Sequence, residues 1–340
     1  MSGYIKNILR DTHRKSIPNI ILDLIRCGLK EKEVPLYYFT TLAYKKGRGH
    51  CLDYVGGKTH KKAMTVIHSK GNSTSPILQN KFLFNSHLNA IGANNPEVIA
   101  YNVRNNLFAK GRIFDISKPE DFKNSIAKIL DNSVQKLFIK PLAGAGGKRC
   151  FKIDNLDNID PDIFSTLIDS TFIFQQLIKQ NSQVSKIYPH SVNTLRVHTV
   201  RQNGAIKVAS SLMRLGQGGN VVDNASQGGI IVNIDRENGV LEKWGVNHLH
   251  SGGQSFTHHP DTEFKFEGFS IPYYEQVEEK CKQVAKYFNN WIIGWDIAIT
   301  EDGFTFMEGN SNPNVRMMQL AEGGIKTNKV LKKLYRQYIK

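Results

Sequence analysis

Apolar residues Ile5, Ile8 and Leu9, and then Ile20, Ile21, Leu24 and Ile25, recur three and four apart, the spacing of one helix face. This pattern predicts a mostly helical section over residues 1–78. Loop signals punctuate its end, G-R-G-H around Gly47 and G-N-S-T-S-P over residues 71–76. From Lys81 the texture changes. Helical spacing over residues 80–91, 119–130 and 160–169 is interleaved with short apolar runs at 97–102, 136–140, 150–153 and 171–177, which read as strands. Ser117 is the expected N-cap of the helix over 119–130, with Glu120 and Asp121 in its first turn.

The C-terminal half opens with two longer runs, 194–202 and 205–215, joined by Asn203-Gly204, a strong hairpin turn signal. A glycine-rich loop (216–229) and a short strand (230–234) follow. Residues 244–272 are rich in His, Gly and Ser and read as irregular. A helix over 273–288, a hairpin over 292–310 and a basic helix from Lys326 complete the chain. No repeat or low-complexity segment is visible. The order predicts an α+β protein in three sections: residues 1–78, 79–178 and 179–340.

Charge narrows the choice of partners. The 340 residues carry 45 Lys and Arg against 30 Asp and Glu, a formal net charge of +15. Such a surface attracts nucleotides, acidic sugars or an anionic membrane face. The basic residues are dispersed instead of forming a tail or stripe, which argues against nucleic acid. Cys27, Cys51, Cys150 and Cys281 stand far apart with no metal spacing, as reduced thiols of a cytoplasmic protein do. The N-terminus lacks the apolar core of a signal peptide, and no run approaches the ~18 apolar residues of a membrane span. The best candidate, residues 17–29, is broken by Asp23 and Arg26. Contact with an anionic membrane or a lipid-linked sugar is therefore expected to be peripheral at most.

Two stretches carry chemistry. In L-F-I-K-P-L-A-G-A-G-G-K-R-C-F-K-I, residues 137–153, Gly147-Lys148 is followed by Arg149 where a Walker A loop needs Ser or Thr. The dinucleotide fingerprint fails as well, because Gly144 and Gly146 would need a glycine at 149. Both designs lead into a helix, whereas this loop leads into a strand. It reads as a hairpin flap over Gly144, Ala145, Gly146, Gly147 and Lys148, whose N–H groups suit a phosphate chain. Lys140, ending the preceding strand, would place a charge beneath it. A plain glycine-rich surface hairpin is the alternative.

In W-I-I-G-W-D-I-A-I-T-E-D-G-F-T-F-M-E-G-N-S-N-P, residues 291–313, Asp296 and Glu308 sit in apolar runs where ionised carboxylates need a cation. Glu308 and Asn310, two apart on a strand, share a face. A three-residue turn with Gly303 left-handed sets Asp296 opposite Glu308, and the three oxygen donors then suit Mg²⁺. A two-residue turn puts Asp296 on the other face. Alternatively, nearby Lys or Arg hold the carboxylates.

In order and spacing these segments resemble the ATP-grasp enzymes, and more narrowly the sugar-transfer-associated, α-L-glutamate-ligase-related family. The resemblance covers residues from about 80 to the end and much of the N-terminal section. It implies two α/β subdomains with mostly antiparallel sheets clamping ATP, beside the helical N-terminal section. Lys81, in Asn80-Lys81-Phe82, matches a phosphate-contacting lysine, Lys140 the lysine under the α- and β-phosphates, and residues 144–148 the flap. Gln175, Gln176, Leu177 and Ile178 match the hinge whose backbone reads adenine, and Asp296, Glu308 and Asn310 the magnesium ligands. The segments V-N-T-L-R-V and R-L-G-Q-G-G-N-V-V-D-N-A-S-Q-G-G resemble family segments. K-Q-N-S-Q after Ile178 departs from the acidic residue many members use to hold ribose.

The resemblance implies an ADP-forming carboxylate–amine ligase that works through an acyl phosphate, with ATP and Mg²⁺. Its expected substrates are an acidic small molecule or sugar and an amine, in surface polysaccharide biosynthesis. Arg196 and then Arg214 are the candidates for stabilising the transferring group, each with an ion pair as the alternative role. Asp223, Asn224 and Gln227 on the second glycine loop, with Ser311 and Asn312, are candidate substrate contacts. His248, His250, His258 and His259 match no metal spacing and read as loop residues. A kinase on the same fold and a non-catalytic nucleotide or polyanion binder are the competing readings.

Overall fold

A computed structural model of the chain describes residues 2–130, 136–144, 149–153 and 161–338. The chain divides into two compact units. The first is Met1–Thr74 with Gln180–Phe304 and Asn310–Lys340; the second is Ser75–Lys179 with Thr305–Gly309.

The first unit begins with the helices that the periodicity predicts: α1 (Ser2–Arg10), α2 (Ile17–Glu31), α3 (Leu36–Thr40) and α4 (Gly57–Lys70). Ser16 caps α2 by accepting from the Asn19 N–H, and Pro18 sits in the first turn, where no N–H is missed. Asp23 turns inward, toward a layer that includes Ile20, Cys27, Tyr38 and Leu42. Its charge is sustained there by Lys15 Nζ and the Tyr38 hydroxyl, each donating at 2.9 Å.

The second unit opens with α5 (Ser75–Gln79) and α6 (Lys81–Ala90) and is built on an antiparallel six-stranded sheet. Its strands are β1 (Val98–Val103), β2 (Asn106–Ala109), β3 (Arg112–Asp115), then, after α7 (Pro119–Ile129), β4 (Leu137–Pro141) and β5 (Phe151–Ile153), and after α8 (Pro161–Ile168), β6 (Thr171–Gln176). They lie in the order β3-β2-β1-β6-β4-β5. Phe122 and Ile126 of α7 and Phe164 of α8 pack with Leu107, Ile139, Phe172 and Phe174 of the strands.

Back in the first unit, α9 (Ser182–Ser185) precedes β7 (Thr194–Gln202), β8 (Ala205–Leu215), β9 (Ile230–Asp235), β10 (Val240–Val246) and β11 (Ser255–Phe256). Then come α10 (Tyr274–Val284), β12 (Ile292–Thr300), β13 (Gly303–Asn310), α11 (Val315–Glu322) and α12 (Lys329–Tyr338). The sheet order is β11-β10-β9-β8-β7-β12-β13. Asn203 and Gly204 both take positive φ (50° and 78°), the type I′ geometry that their dipeptide signals. In the resulting register Arg196 lies opposite Leu212 of β8 and Asp296 of β12, and His198 opposite Ser210 and Gly294.

The helical N-terminal section is tied to α11 by polar bonds as well as by packing. The Gln319 carboxamide pairs with the Val55 backbone, accepting at 2.6 Å and donating at 3.1 Å. Arg48 donates to the carbonyls of Gln319, Leu320 and Ala321 at the C-terminus of that helix, where positive charge is favourable.

Three local expectations are corrected. Ser117 does not cap α7: the N-cap is Lys118, without a side-chain bond, and the Ser117 hydroxyl instead donates to Asp115. The predicted strand near residue 97 is the first of a three-strand meander, whose turns carry Arg104 at φ 54° and Lys110-Gly111 at 48° and 73°. β10 and β11 lie partly within residues 244–272, which read as irregular. In β10 a register shift between Leu241 and Gly245 breaks the two-residue alternation, and three consecutive exposed residues, 242–244, mask the strand.

Among the described residues no helix is long and apolar enough to cross a membrane, and the four cysteines are free. Gln319→Leu should destabilise the protein by about 2–4 kcal/mol, because it strands a buried N–H and a buried carbonyl of Val55. Urea unfolding measures this, and a loss below about 0.5 kcal/mol would show that the pair does not anchor the N-terminal section.

Candidate active site

In the second unit the charged residues gather where α6, β4 and the end of β13 approach. Asn80 caps α6 by accepting from the N–H groups of Phe82 and Leu83, both at 3.0 Å, and the Lys81 N–H donates to Leu142 O at 3.0 Å. The Lys81 ammonium lies 3.1 Å from Glu308 and 2.9 Å from the Gly144 carbonyl. It thus ties the carboxylate to the root of the glycine loop. Lys140, 6% exposed, donates to Met307 O at 3.4 Å. Burial pushes the Cys150 thiol up, against the pull of Lys140 and Lys81.

Supporting residues hold this cluster. Asn85 donates to Lys81 O at 2.7 Å and accepts from the Gln175 carboxamide at 3.1 Å, so the Gln175 side chain faces inward. The N–H groups of Gln176 and Leu177 donate to Glu97 O and Lys136 O. Gly309, between Glu308 and Asn310, has no room for a side chain: a Cβ there would lie 2.5 Å from Leu78 and 2.9 Å from Phe84. Gly144 takes φ 111°. Ala145, Gly146, Gly147 and Lys148 lie outside the described residues.

The first unit holds a second charged group on one face of its sheet. Arg196 grips Asp296 with two donors, Nε to Oδ1 and Nη2 to Oδ2, the latter at 2.9 Å. Arg214 adds Nη1 at 3.3 Å and with its other donors holds Asp223, Nη2 to Oδ1 at 3.0 Å. Asp223 also accepts from the N–H and hydroxyl of Thr194. Burial works to raise the pKa of Asp296, but the two guanidinium charges outweigh it and hold the carboxyl below its ordinary value. Burial pushes Asp223 up, against Arg214.

Beside them lies His198, fully buried, with no hydrogen-bond partner for either ring nitrogen among the described residues. Burial first, and then the charge of Arg196, drive its pKa down to about 3, so the ring is neutral. Gly294 makes space for it, since a Cβ there would sit 3.3 Å from the imidazole and 3.4 Å from Arg196.

The second glycine loop is pinned from outside. The Tyr188 hydroxyl donates to Asn220 O at 2.9 Å, and Asp261 accepts from the Gly218 N–H at 2.6 Å. His259, a loop residue, is fully buried and stacked on Tyr188 at 5.1 Å. Its Nε2 donates to Gly216 O at 2.7 Å while Nδ1 accepts from the Asp261 N–H at 3.2 Å. Within the loop, the carbonyl of Asn224 accepts from the N–H groups of Gln227 and Gly229. Ser311 is buried, its carbonyl 3.3 Å from His68 Nε2; Asn312 is exposed; and Asn310 donates to Gly294 O at 3.5 Å. Asn85, Thr194 and Tyr188 escaped sequence reasoning, because a polar residue inside a predicted element carries no mark of its partner.

Two sheets with helices against them, one unit with two lysines beside a carboxylate and the other with a carboxylate between two arginines, define an α+β protein of the ATP-grasp fold. The chain belongs to the sugar-transfer associated ATP-grasp family, whose model matches residues 151–334. No curated protein matches it. Among solved structures it is similar to D-alanyl-alanine synthetase A from Vibrio cholerae, at 12% identity over 78% of this chain and 66% of that one, with a TM-score of 0.45. It is similar also to the ATP-grasp ligase PsnB complexed with minimal precursor, Mg and ADP (15%, 79% and 61%, 0.42). A third is N5-carboxyaminoimidazole synthase from Aspergillus clavatus (13%, 69% and 45%, 0.40). The chain thus matches from under half to about two thirds of the length of these proteins.

The bonding of His259 requires the neutral ring, and burial holds its pKa below the ordinary histidine value. Its contribution is complete above that value and is lost as pH falls through it toward the lower folded pKa. Hydrogen exchange over residues 216–229, corrected for the intrinsic amide rate at each pH, should therefore accelerate between pH 7.5 and pH 5, by about tenfold. In His259→Phe it should be fast at both; equal protection of the native loop at both pH values would contradict the clamp.

Proposed function

We propose that the protein is an ATP-dependent, ADP-forming carboxylate–amine ligase acting in the cytoplasm on an acidic sugar for surface polysaccharide. The observation that carries this reading is the convergence of Lys81, Lys140, Glu308 and the root of the glycine loop within one unit. Family membership and the net charge of +15 support ATP and an acidic second substrate. The family's association with sugar transfer supports a sugar.

In this reading Lys81 and Lys140 bind the phosphates, with the flap residues Gly144, Ala145, Gly146, Gly147 and Lys148 over them. Backbone groups of residues 175–178 meet the adenine. The acid's carboxylate oxygen attacks the γ-phosphorus of ATP and ADP leaves. The amine then attacks the acyl carbon, loses its proton, and phosphate departs. The guanidinium groups of Arg196 and Arg214 orient the anionic group and offset charge on its oxygens; ionised Asp296 keeps both arginines in place until then. Asp223, Asn224, Gln227, Ser311 and Asn312 border the acceptor.

Glu308 is partly exposed with its ammonium partner on one oxygen, which fits a hard divalent cation, whereas both oxygens of Asp296 are taken by Arg196 and Arg214. Glu308 would hold magnesium, which supplies charge neutralisation along the phosphates when bound.

With ATP, a pool of sugar acids and a pool of amines, ADP release should require the acid, and an amide product should require both. A stable phosphorylated acid formed with no dependence on amine would instead establish a kinase. Lys140→Met and Glu308→Gln should each lower the rate of ADP formation by about a hundred- to a thousandfold. An unchanged rate in either variant would remove that residue from the site.

A further inference from the structure

The outward face of α2 is aliphatic. Ile17, Ile21, Leu22, Ile25 and Leu29 are 39%, 53%, 43%, 55% and 76% exposed, and at helical spacing they occupy one arc of roughly 140°. The opposite arc, Ile20, Asp23, Cys27 and Glu31, is the one buried in the unit. Leu9, Val34 and Leu36, in the flanking segments, are exposed as well. The helix is seated in the unit by Ile20, Cys27 and two engaged carboxylates, and an exposed aliphatic arc of this extent on its other side marks an interaction face.

The charge around it identifies that partner. Residues 1–34 carry seven Lys and Arg against four Asp and Glu. All four carboxylates are engaged: Asp11 with Lys45, Asp23 with Lys15, Glu31 with Lys326, and Glu33 with the N–H of Lys58. Lys6, Arg10, Arg26 and Lys32 face solvent. Beside the N-terminus of α2 a cleft of about 580 Å³ is lined by Leu9, Arg10, Arg14, Lys15, Asn19 and Lys46, among others.

We propose that this face docks on the anionic leaflet of a lipid bilayer. The aliphatic arc of α2 enters the acyl boundary, and Arg10, Arg26, Lys32 and the cleft meet lipid phosphates. A second copy of the chain is the poorer occupant, because a two-fold contact would oppose the same cations. The arc also holds no aromatic side chain of the kind on which protein interfaces concentrate their energy. The inference is independent of the ligase reading, and a protein with another activity would dock in the same way.

Co-sedimentation of the full chain with phosphatidylcholine vesicles, with and without phosphatidylglycerol, tests it. Binding to the anionic vesicles should be about tenfold or more tighter than to neutral ones and should weaken with sodium chloride. Ile25→Asn with Leu29→Asn, and separately Arg10→Glu with Arg26→Glu, should each reduce it about tenfold or more, with melting temperature and ATP turnover unchanged. Absence of binding to anionic vesicles, or binding indifferent to either double variant, overturns the proposal. So does a dimer in light scattering that Ile25→Asn with Leu29→Asn disperses, since the face would then belong to a second copy. Selective release by inorganic phosphate, beyond that of chloride at equal ionic strength, would make the cleft a soluble-anion site and overturn it too.

Discussion

A carboxylate buried in a β-sheet stays ionised only where cations compensate for the water it has lost, and Asp296 imposes that requirement on three strands at once. Arg196 meets it from the neighbouring strand in direct register, and Arg214 meets it from the strand beyond. Arg214 in turn needs Asp223, which brings the middle of the second glycine loop down onto the sheet. Gly294 leaves room beside them, since a Cβ there would press on Pro313 at 3.0 Å and on the His198 ring at 3.3 Å. Buried ion networks contribute little net stability, but removing one member leaves an uncompensated charge. The arrangement therefore fixes two guanidinium groups on one face of the sheet while adding little to the stability of the fold.

The second unit applies the same logic with lysines. Glu308 gives Lys81 a counter-charge while the Gly144 carbonyl occupies another of its donors. A point charge on a flexible stem can leave that partner for a phosphate, whereas the planar fork of arginine suits an oxygen pair on a fixed sheet. In the proposed ligase the lysines accordingly serve the nucleotide and the arginines the acyl group.

Legibility in the sequence followed how local each signal was. The strands over residues 194–202 and 205–215 were recovered to the residue, because strand-like runs flank an Asn-Gly turn whose geometry the structure adopts. β10 was half lost, because its bulge and its exposed Glu242, Lys243 and Trp244 break that alternation. Asp296 and Glu308 stood out as costly charges in apolar runs, Lys140 by its place below the glycine loop, and Lys81 and Arg196 through the family resemblance. Their pairings did not, because 100 residues separate Arg196 from Asp296 and only the sheet order joins them. The clamp of His259 was invisible for the same reason: nothing local distinguishes a histidine stacked beneath a loop from one lying on it.

If these charges serve acyl transfer, one oxygen atom must move from the acid to phosphate. Sugar acids labelled with ¹⁸O in the carboxylate, turned over with ATP, magnesium and amines, allow that atom to be followed by mass spectrometry of the released phosphate. The account predicts one labelled oxygen per phosphate. Phosphate released without label while ADP accumulates would contradict it.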